Sequence, residues 1–282
     1  MMLNSPSHIH SLLDPARFMR YGTGPGGSSG AAPNSAAAQA YFDRLVPYPT
    51  SAREAIYGAF VDALVTAGLD SVFDFLYVNC VENGANALTD VWRTDRQGQE
   101  YLLTSGLTFT ADSGWSGGTA GNHITSRFDP TTATSPRFAR NDAMITCYIG
   151  STATVSQPGI FHATDAAPQT HLTNVVLWPK FGANGSACVN GAEFSFANSG
   201  DSSGLYVVQR TTSTLTTVWK NGVSLATDAG ASAAIQAGVI RFCSGAQTFR
   251  IQGAGKSMTT PQLAAWQTAV ETLITAIRGS LP

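Results

Sequence analysis

Within GLYVVQRTTSTLTTVWKNGVSLAT, residues 204–227, the dipeptide Asn221-Gly222 leaves the chain few choices. A type I′ turn needs positive φ at both central positions, which Asn and Gly tolerate best. The flanking runs, Leu215 to Lys220 and Val223 to Thr227, are therefore expected to pair antiparallel around a two-residue loop. An earlier run, Leu205 to Arg210, alternates in the same way, and the polar, β-branched Thr211 to Thr214 reads as the loop of a second hairpin. Leu205, Val207 and Gln209 face one way in this three-stranded meander, and Tyr206, Val208 and Arg210 the other, so each face is partly apolar. A sheet of this kind needs a second layer.

The rest of the chain supplies one. From Leu107 onward the segments LTFT, HITSRF, AMITCYIG, GIFHA, NVVLWPKFG, SACVNG and EFSFA are separated by clusters of Gly, Asn, Asp, Pro and Ser, and Val239 to Cys243 and Phe249 to Gln252 follow the meander. Many short strands at this spacing indicate a sandwich. A helix precedes them: Ser51 and Glu54 have capping-box spacing, and Ile56, Phe60 and Leu64 recur on one face before Gly68. Val72 to Val78 is then a strand. A second helix closes the chain, with Thr259 and Gln262 at capping-box spacing, Pro261 in its first turn and the stripe Leu263, Trp266, Val270, Leu273, Ile274 and Ile277 ahead of Gly279.

Residues 1–44 differ in character. Leu3, Ile9, Leu12, Leu13, Phe18 and Met19 are scattered through the first twenty positions, and YGTGPGGSSGAAPNSAAAQA follows as a Gly, Ser, Pro and Ala linker. Such an arm has no core of its own and is expected either to stay disordered or to order against a neighbouring subunit. The expected organisation is an arm over 1–44 and one jelly-roll domain with flanking helices over 45–282.

Composition excludes several function classes. Charged residues make up 12% of the 282 positions, half the usual share, the net charge is −2, and three lysines (Lys180, Lys220, Lys256) stand against thirteen arginines with no basic stripe. No nucleic-acid partner is expected. No apolar run long enough for a signal peptide or a membrane span occurs, so neither export nor a membrane role is expected. Cys80, Cys147, Cys188 and Cys243 lie far apart without a CxxC pair, and are read as buried thiols in preference to a disulfide framework.

TAGLDSVFDFLYV, NALTDVW, LTFTADSGWSGG, NHITSRFDP, the meander and MTTPQLAAWQTAVETLI, in this order, resemble a domain family common in phage and prophage tail and other virion proteins. The resemblance covers about residues 45 to 280 and implies a concanavalin A-like or laminin G-like jelly roll. It also implies a place in the virion after assembly in the host cytoplasm, an arm-mediated contact with other virion proteins, and a homotrimer as in fibres. The chain departs from the commoner pattern after Phe75, where Cys80, Glu82 and Asn83 interrupt the apolar run.

Glycosidases of this fold carry paired carboxylates on alternate strand positions. None of the five glutamates here is followed two residues later by Asp, and Asp70 and Asp74 read as solvated residues at a strand entrance. No Gly-x-Ser-x-Gly elbow occurs. His123, His162 and His171 read as polar residues on strands or loops, and His8 and His10 lack a third ligand, so no catalytic residue, metal or cofactor is expected. Sugar sites stack a ring on an aromatic face beside amide and carboxylate partners. Trp115 in the loop DSGWSGG, with Asp112, Asn122 and His123 around it, is the candidate for binding a host-surface glycan. The same Trp115 also reads as a ring capping the core at a strand start, and Trp92, Trp178, Trp219 and Trp266 read as core. The expected function is a non-enzymatic virion protein, a tail fibre or adhesin displaying a lectin-like sandwich. The alternatives are a capsid or collar decoration protein without a ligand and, less favoured, a polysaccharide hydrolase.

Overall fold

The computed structural model describes residues 34–93, 99–101, 107–117, 123–151, 159–163, 171–198, 200–242 and 247–279. Helices α1 (Ala36–Phe42) and α2 (Ser51–Thr66) come first, then β1 (Phe73–Val78), the single turn α3 (Gly84–Ala87), β2 (Gln99–Tyr101), β3 (Leu107–Thr110), β4 (Gly114–Gly117) and β5 (His123–Thr125). The chain continues through β6 (Ala143–Ile149), β7 (Ile160–Ala163), β8 (His171–Phe181), β9 (Asn184–Val189), β10 (Phe194–Ala197), β11 (Gly204–Thr212), β12 (Leu215–Lys220), β13 (Val223–Asp228), β14 (Val239–Phe242), β15 (Thr248–Gly255) and α4 (Thr260–Gly279). One sheet runs β13-β12-β11-β6-β15-β4-β3, with β1 also paired to β15, and the other runs β10-β9-β8-β7-β14-β5-β2. The fold is the expected mainly β, antiparallel sandwich with helices before and after it.

The meander forms where its sequence places it. Asn221 and Gly222 sit at φ 49° and 76°, and Lys220 pairs with Val223 across the two-residue turn. The first hairpin is tighter than expected: Thr212 pairs with Leu215, which leaves only Ser213 and Thr214 in the loop. A register shift between Arg210 and Thr212 absorbs the extra residue, and the β-branched Thr211 and Thr212 stay on the strand.

Alternation along β11 assigns the layers. The Tyr206 ring meets Phe196 of the second sheet at 6.4 Å, and Arg210 Nε donates to the Val189 carbonyl at 2.7 Å. On the opposite face Gln209 Oε1 accepts from the Met258 N–H at 3.1 Å, beneath α4. Helices α2 and α4 lie antiparallel on that face: Arg53 at the start of α2 reaches the Ile277 carbonyl, and Gln262 at the start of α4 reaches the Gly68 carbonyl. The buried stripe of α4 is the one its periodicity predicts. The molecule is therefore layered as helices, sheet, sheet.

Helix ends follow different rules. Thr259 and Gln262 form a reciprocal box, Thr259 N–H to Gln262 Oε1 at 3.1 Å and Gln262 N–H to Thr259 Oγ1 at 3.4 Å. The box expected from Ser51 and Glu54 is not made. Ser51 is already helical, Thr50 is the cap and gives its N–H and hydroxyl to Glu82 at 3.0 and 2.8 Å, and Glu54 accepts from Asn34 and Tyr48.

Two further expectations are corrected. Residues 36–42, assigned to the linker, form α1, capped by the Ser35 side chain and burying Ala38, Tyr41 and Phe42 against α2, so the compact unit begins at Asn34 and not at 45. Alanines read as linker by composition are also the strongest helix formers, and Tyr41 and Phe42 give this helix something to bury. Asp74 is not solvated. It marks the register shift between Phe73 and Phe75, is fully buried, and accepts from the backbone N–H groups of Arg137 and Phe138 at 3.0 and 2.7 Å. The shift turns Phe73 toward Trp266 and Phe75 toward Phe128 and Phe242. Cys80, Cys147 and Cys188 are buried outside any disulfide, and Cys243, the arm and its His8 and His10 lie outside the described residues. Among the described residues no helix is long and apolar enough to cross a membrane.

Candidate functional site

The β3–β4 hairpin brings two of the four expected ligand-binding residues together. Trp115 pairs across it with Phe109, ring centroids 5.2 Å apart, and both rings lie against Gly84, where a side chain would meet them. Asp112 occupies the turn at φ 60°, its N–H bonded to the Val81 carbonyl at 2.9 Å and its carboxylate 2.8 Å from Arg53 of α2. Trp115 is only 4% exposed, so its ring belongs to the core and offers no face to a sugar. His123 lies on β5 in the other sheet, buried edge-on against Phe161 at 5.9 Å, and Asn122 is outside the described residues. Cys80 neighbours the Arg53 and Asp112 pair, and burial pushes its thiol up to about 12, which keeps it protonated at neutral pH.

An aromatic surface does exist, on the outer face of the second sheet. Leu177 and Val175 of β8 point into the sandwich, so Val176 and Trp178 point out, where they join Phe161 of β7 and Cys188 of β9 in a second, small apolar cluster. His123 closes one end of this row through Phe161. At the other end the β8–β9 hairpin turns through Gly182, at φ 64°, and Ala183, with Phe181 opposite Asn184. A register shift between Trp178 and Phe181 places the two rings side by side, centroids 5.2 Å apart at 62°. Trp178 is half-buried and Phe181 is 52% exposed, a large ring held at a sheet face in contact with solvent.

Polar groups frame it. Ser186 stands opposite Trp178 on β9 and its hydroxyl donates to the exposed Glu193 carboxylate at 2.5 Å, while Lys180 follows Trp178 on its own strand. Cys188 beneath is pushed up to about 12, by burial first and the Glu193 charge second, and stays a thiol. The arrangement presents the half-exposed Phe181 ring, set at 62° to Trp178, near the exposed Glu193 acceptor, a pairing that suits a ring with one apolar face and a hydroxylated rim. Among the described residues no group of three or more His, Cys, Asp or Glu side chains is placed to hold a metal ion. His162 and His171 fall on β7 and β8 with side chains outside the described set. The sequence signal for this site was Trp178-Pro-Lys-Phe181-Gly-Ala-Asn-Gly185, an aromatic pair running straight into turn residues. Its apolar periodicity pointed to core instead.

The chain matches no family model and no curated protein. Solved structures do share its fold. A sialidase of Trypanosoma rangeli aligns with TM-score 0.54 at 8% identity over 78% of this chain and 40% of its own. A Trypanosoma rangeli sialidase in complex with 2,3-difluorosialic acid, as a covalent intermediate, aligns with TM-score 0.51 at 9% identity over 72% of this chain and 33% of its own. The binding domain of botulinum neurotoxin serotype D gives TM-score 0.49 at 9% identity over 71% of this chain and 52% of its own. This chain thus spans from a third to about half of these proteins, and at such identities the sialidases establish a shared β-sandwich fold.

Proposed function

We propose that this protein is a non-enzymatic, glycan-recognising sandwich of a phage particle, a tail fibre or adhesin attached through its N-terminal arm. The observation that carries the recognition half is the Trp178–Phe181 pair, with Phe181 half in solvent and the exposed Glu193 carboxylate held by Ser186 opposite Trp178. A monosaccharide lies with its C–H face on the Phe181 ring while its hydroxyls reach the exposed Glu193 carboxylate. The sialidase solved with 2,3-difluorosialic acid makes acidic sugars a sensible first panel, with Lys180 available to a carboxylate. The attachment half rests on the resemblance and on the composition of residues 1–33, which precede the compact unit.

The test is a glycan array with sialylated and bacterial surface sugars, probed with wild type and Phe181→Ala. Binding that falls at least tenfold in the variant supports the reading. No binding to any sugar, or binding indifferent to Phe181, removes it and leaves the decoration protein. Incorporation into particles after deletion of residues 1–33 tests the arm separately, and normal incorporation removes the attachment claim. Detectable turnover of a surface polysaccharide replaces the whole reading with a hydrolase.

A further inference from the structure

The two long helices cover the first sheet, but among the described residues no element covers them. Between α2 and α4 runs an open groove of about 640 Å³. Ala55, Ala59 and Ala63 line it on one side and Ala265, Thr268 and Thr272 on the other, and among the described residues no charged one contributes to its walls. Helix α2 carries an apolar outward row as well as an apolar inward face: Tyr57, Phe60, Val61 and Leu64 are buried inward, while the alanine row faces out and Val65 beside it is 39% exposed. An outward apolar row of this kind marks an interaction surface. Its three charged residues are already engaged within the molecule, Arg53 with Asp112, Glu54 with Asn34 and Asp62 with Ser35.

We infer that this face is the contact between two copies of the chain, related by a twofold axis that sets one α2–α4 pair on the other. Two features favour a second copy. A neutral wall of alanine and threonine offers a foreign segment no charge to pair and, beyond the threonine hydroxyls, no donor to fix its register, whereas an identical face is neutral by construction. Short side chains also let helices approach closely without a protruding residue to clash across the axis. The size is adequate: twenty residues of α4 span about 30 Å and two neighbouring helices about 20 Å, so each copy contributes roughly 600 Å². The total, about 1,200 Å², lies at the lower edge of specific interfaces. The dimer is therefore expected to dissociate on dilution.

Sedimentation of the full chain from low micromolar to hundreds of micromolar decides the matter. Wild type and the control Ala183→Arg, at the exposed β8–β9 turn of the second sheet, are expected to pass from monomer to dimer. Ala59→Arg and Ala63→Glu, at exposed positions where folding is retained as judged by circular dichroism, are expected to remain monomeric throughout. A wild type that stays monomeric, or an Ala59→Arg that still dimerises, overturns the inference. So does association that survives Ala59→Arg but disappears on deleting residues 1–33, which makes the arm the occupant. Glycan binding by monomeric Ala59→Arg is independent of this outcome.

Discussion

The Trp266 indole N–H donates to the Thr146 hydroxyl at 3.1 Å, and that hydroxyl donates in turn to the Tyr206 carbonyl at 2.8 Å. One side chain in the middle of β6 thereby ties α4 to the centre of the first sheet, using both roles a hydroxyl has. Thr146→Val keeps the volume and removes the acceptor, leaving the indole N–H buried with no partner. The expected cost is about 1–3 kcal/mol, read as a lower urea midpoint with an unchanged slope.

Trp115 and Asp112 are expected to behave as structure. Trp115→Ala empties a buried site and costs about 3–5 kcal/mol, and Asp112→Ala removes the carboxylate partner of the buried Arg53 guanidinium, which keeps the Ile277 carbonyl, at a cost of about 1–3 kcal/mol. Phe181→Ala, at the half-exposed hairpin ring, costs only about 0.5–1.5 kcal/mol through its lost contact with Trp178. Denaturant melts of the three variants separate the roles. A Trp115→Ala protein with wild-type stability would return that residue to the surface.

Asp90 gives stability a pH dependence. Its carboxylate accepts from the N–H groups of Leu76, Trp92 and Arg93 at 3.1, 2.7 and 2.8 Å, yet burial outweighs these donors and pushes the group up to about 7. A folded value above the unfolded one means the contribution is complete below about pH 4 and is lost as pH rises through 7. Asp90→Asn does not titrate. The stability difference between the two proteins should therefore move against the wild type from pH 4 to pH 8, by about 1.4 kcal/mol per unit at its steepest. A difference moving the other way would mean that the three donors hold the charged form.

Two glycines with positive φ should respond differently to alanine. At Gly114, φ 99°, a Cβ would sit 2.1 Å from the Phe249 carbonyl oxygen, so Gly114→Ala must separate β4 from β15 and cost at least about 3 kcal/mol. At Gly182, φ 64°, nothing lies within 4 Å, and only the backbone penalty of about 1–2 kcal/mol applies. Thermal midpoints of the pair test the distinction.

What could be read from the chain was what is decided locally. The Asn221-Gly222 turn, the α4 stripe and the Thr259–Gln262 box are each fixed by residues within a few positions of one another, and each formed. The Ser51–Glu54 box has the same spacing and failed because Glu82, 32 residues from Thr50, took over the cap. Helix α1 is not legible in the sequence because its alanines also suit a linker, and only packing on α2 separates the two readings. The tryptophans exchanged roles for a related reason. Alternation reveals that Trp178 and Leu177 face opposite ways, but which side another layer will cover is settled far away in the chain, by the return of β15 and α4. The sequence therefore points to Trp115, one sheet away from where the exposed ring stands.

The order helices, sheet, sheet gives the molecule a back and a front. With α2 and α4 roofing one broadside, Phe181 looks out from the other, and the two directions are locked together by a continuous core. Anything that grips the roof aims the hairpin away from itself, and no hinge or adaptor is needed to set that bearing.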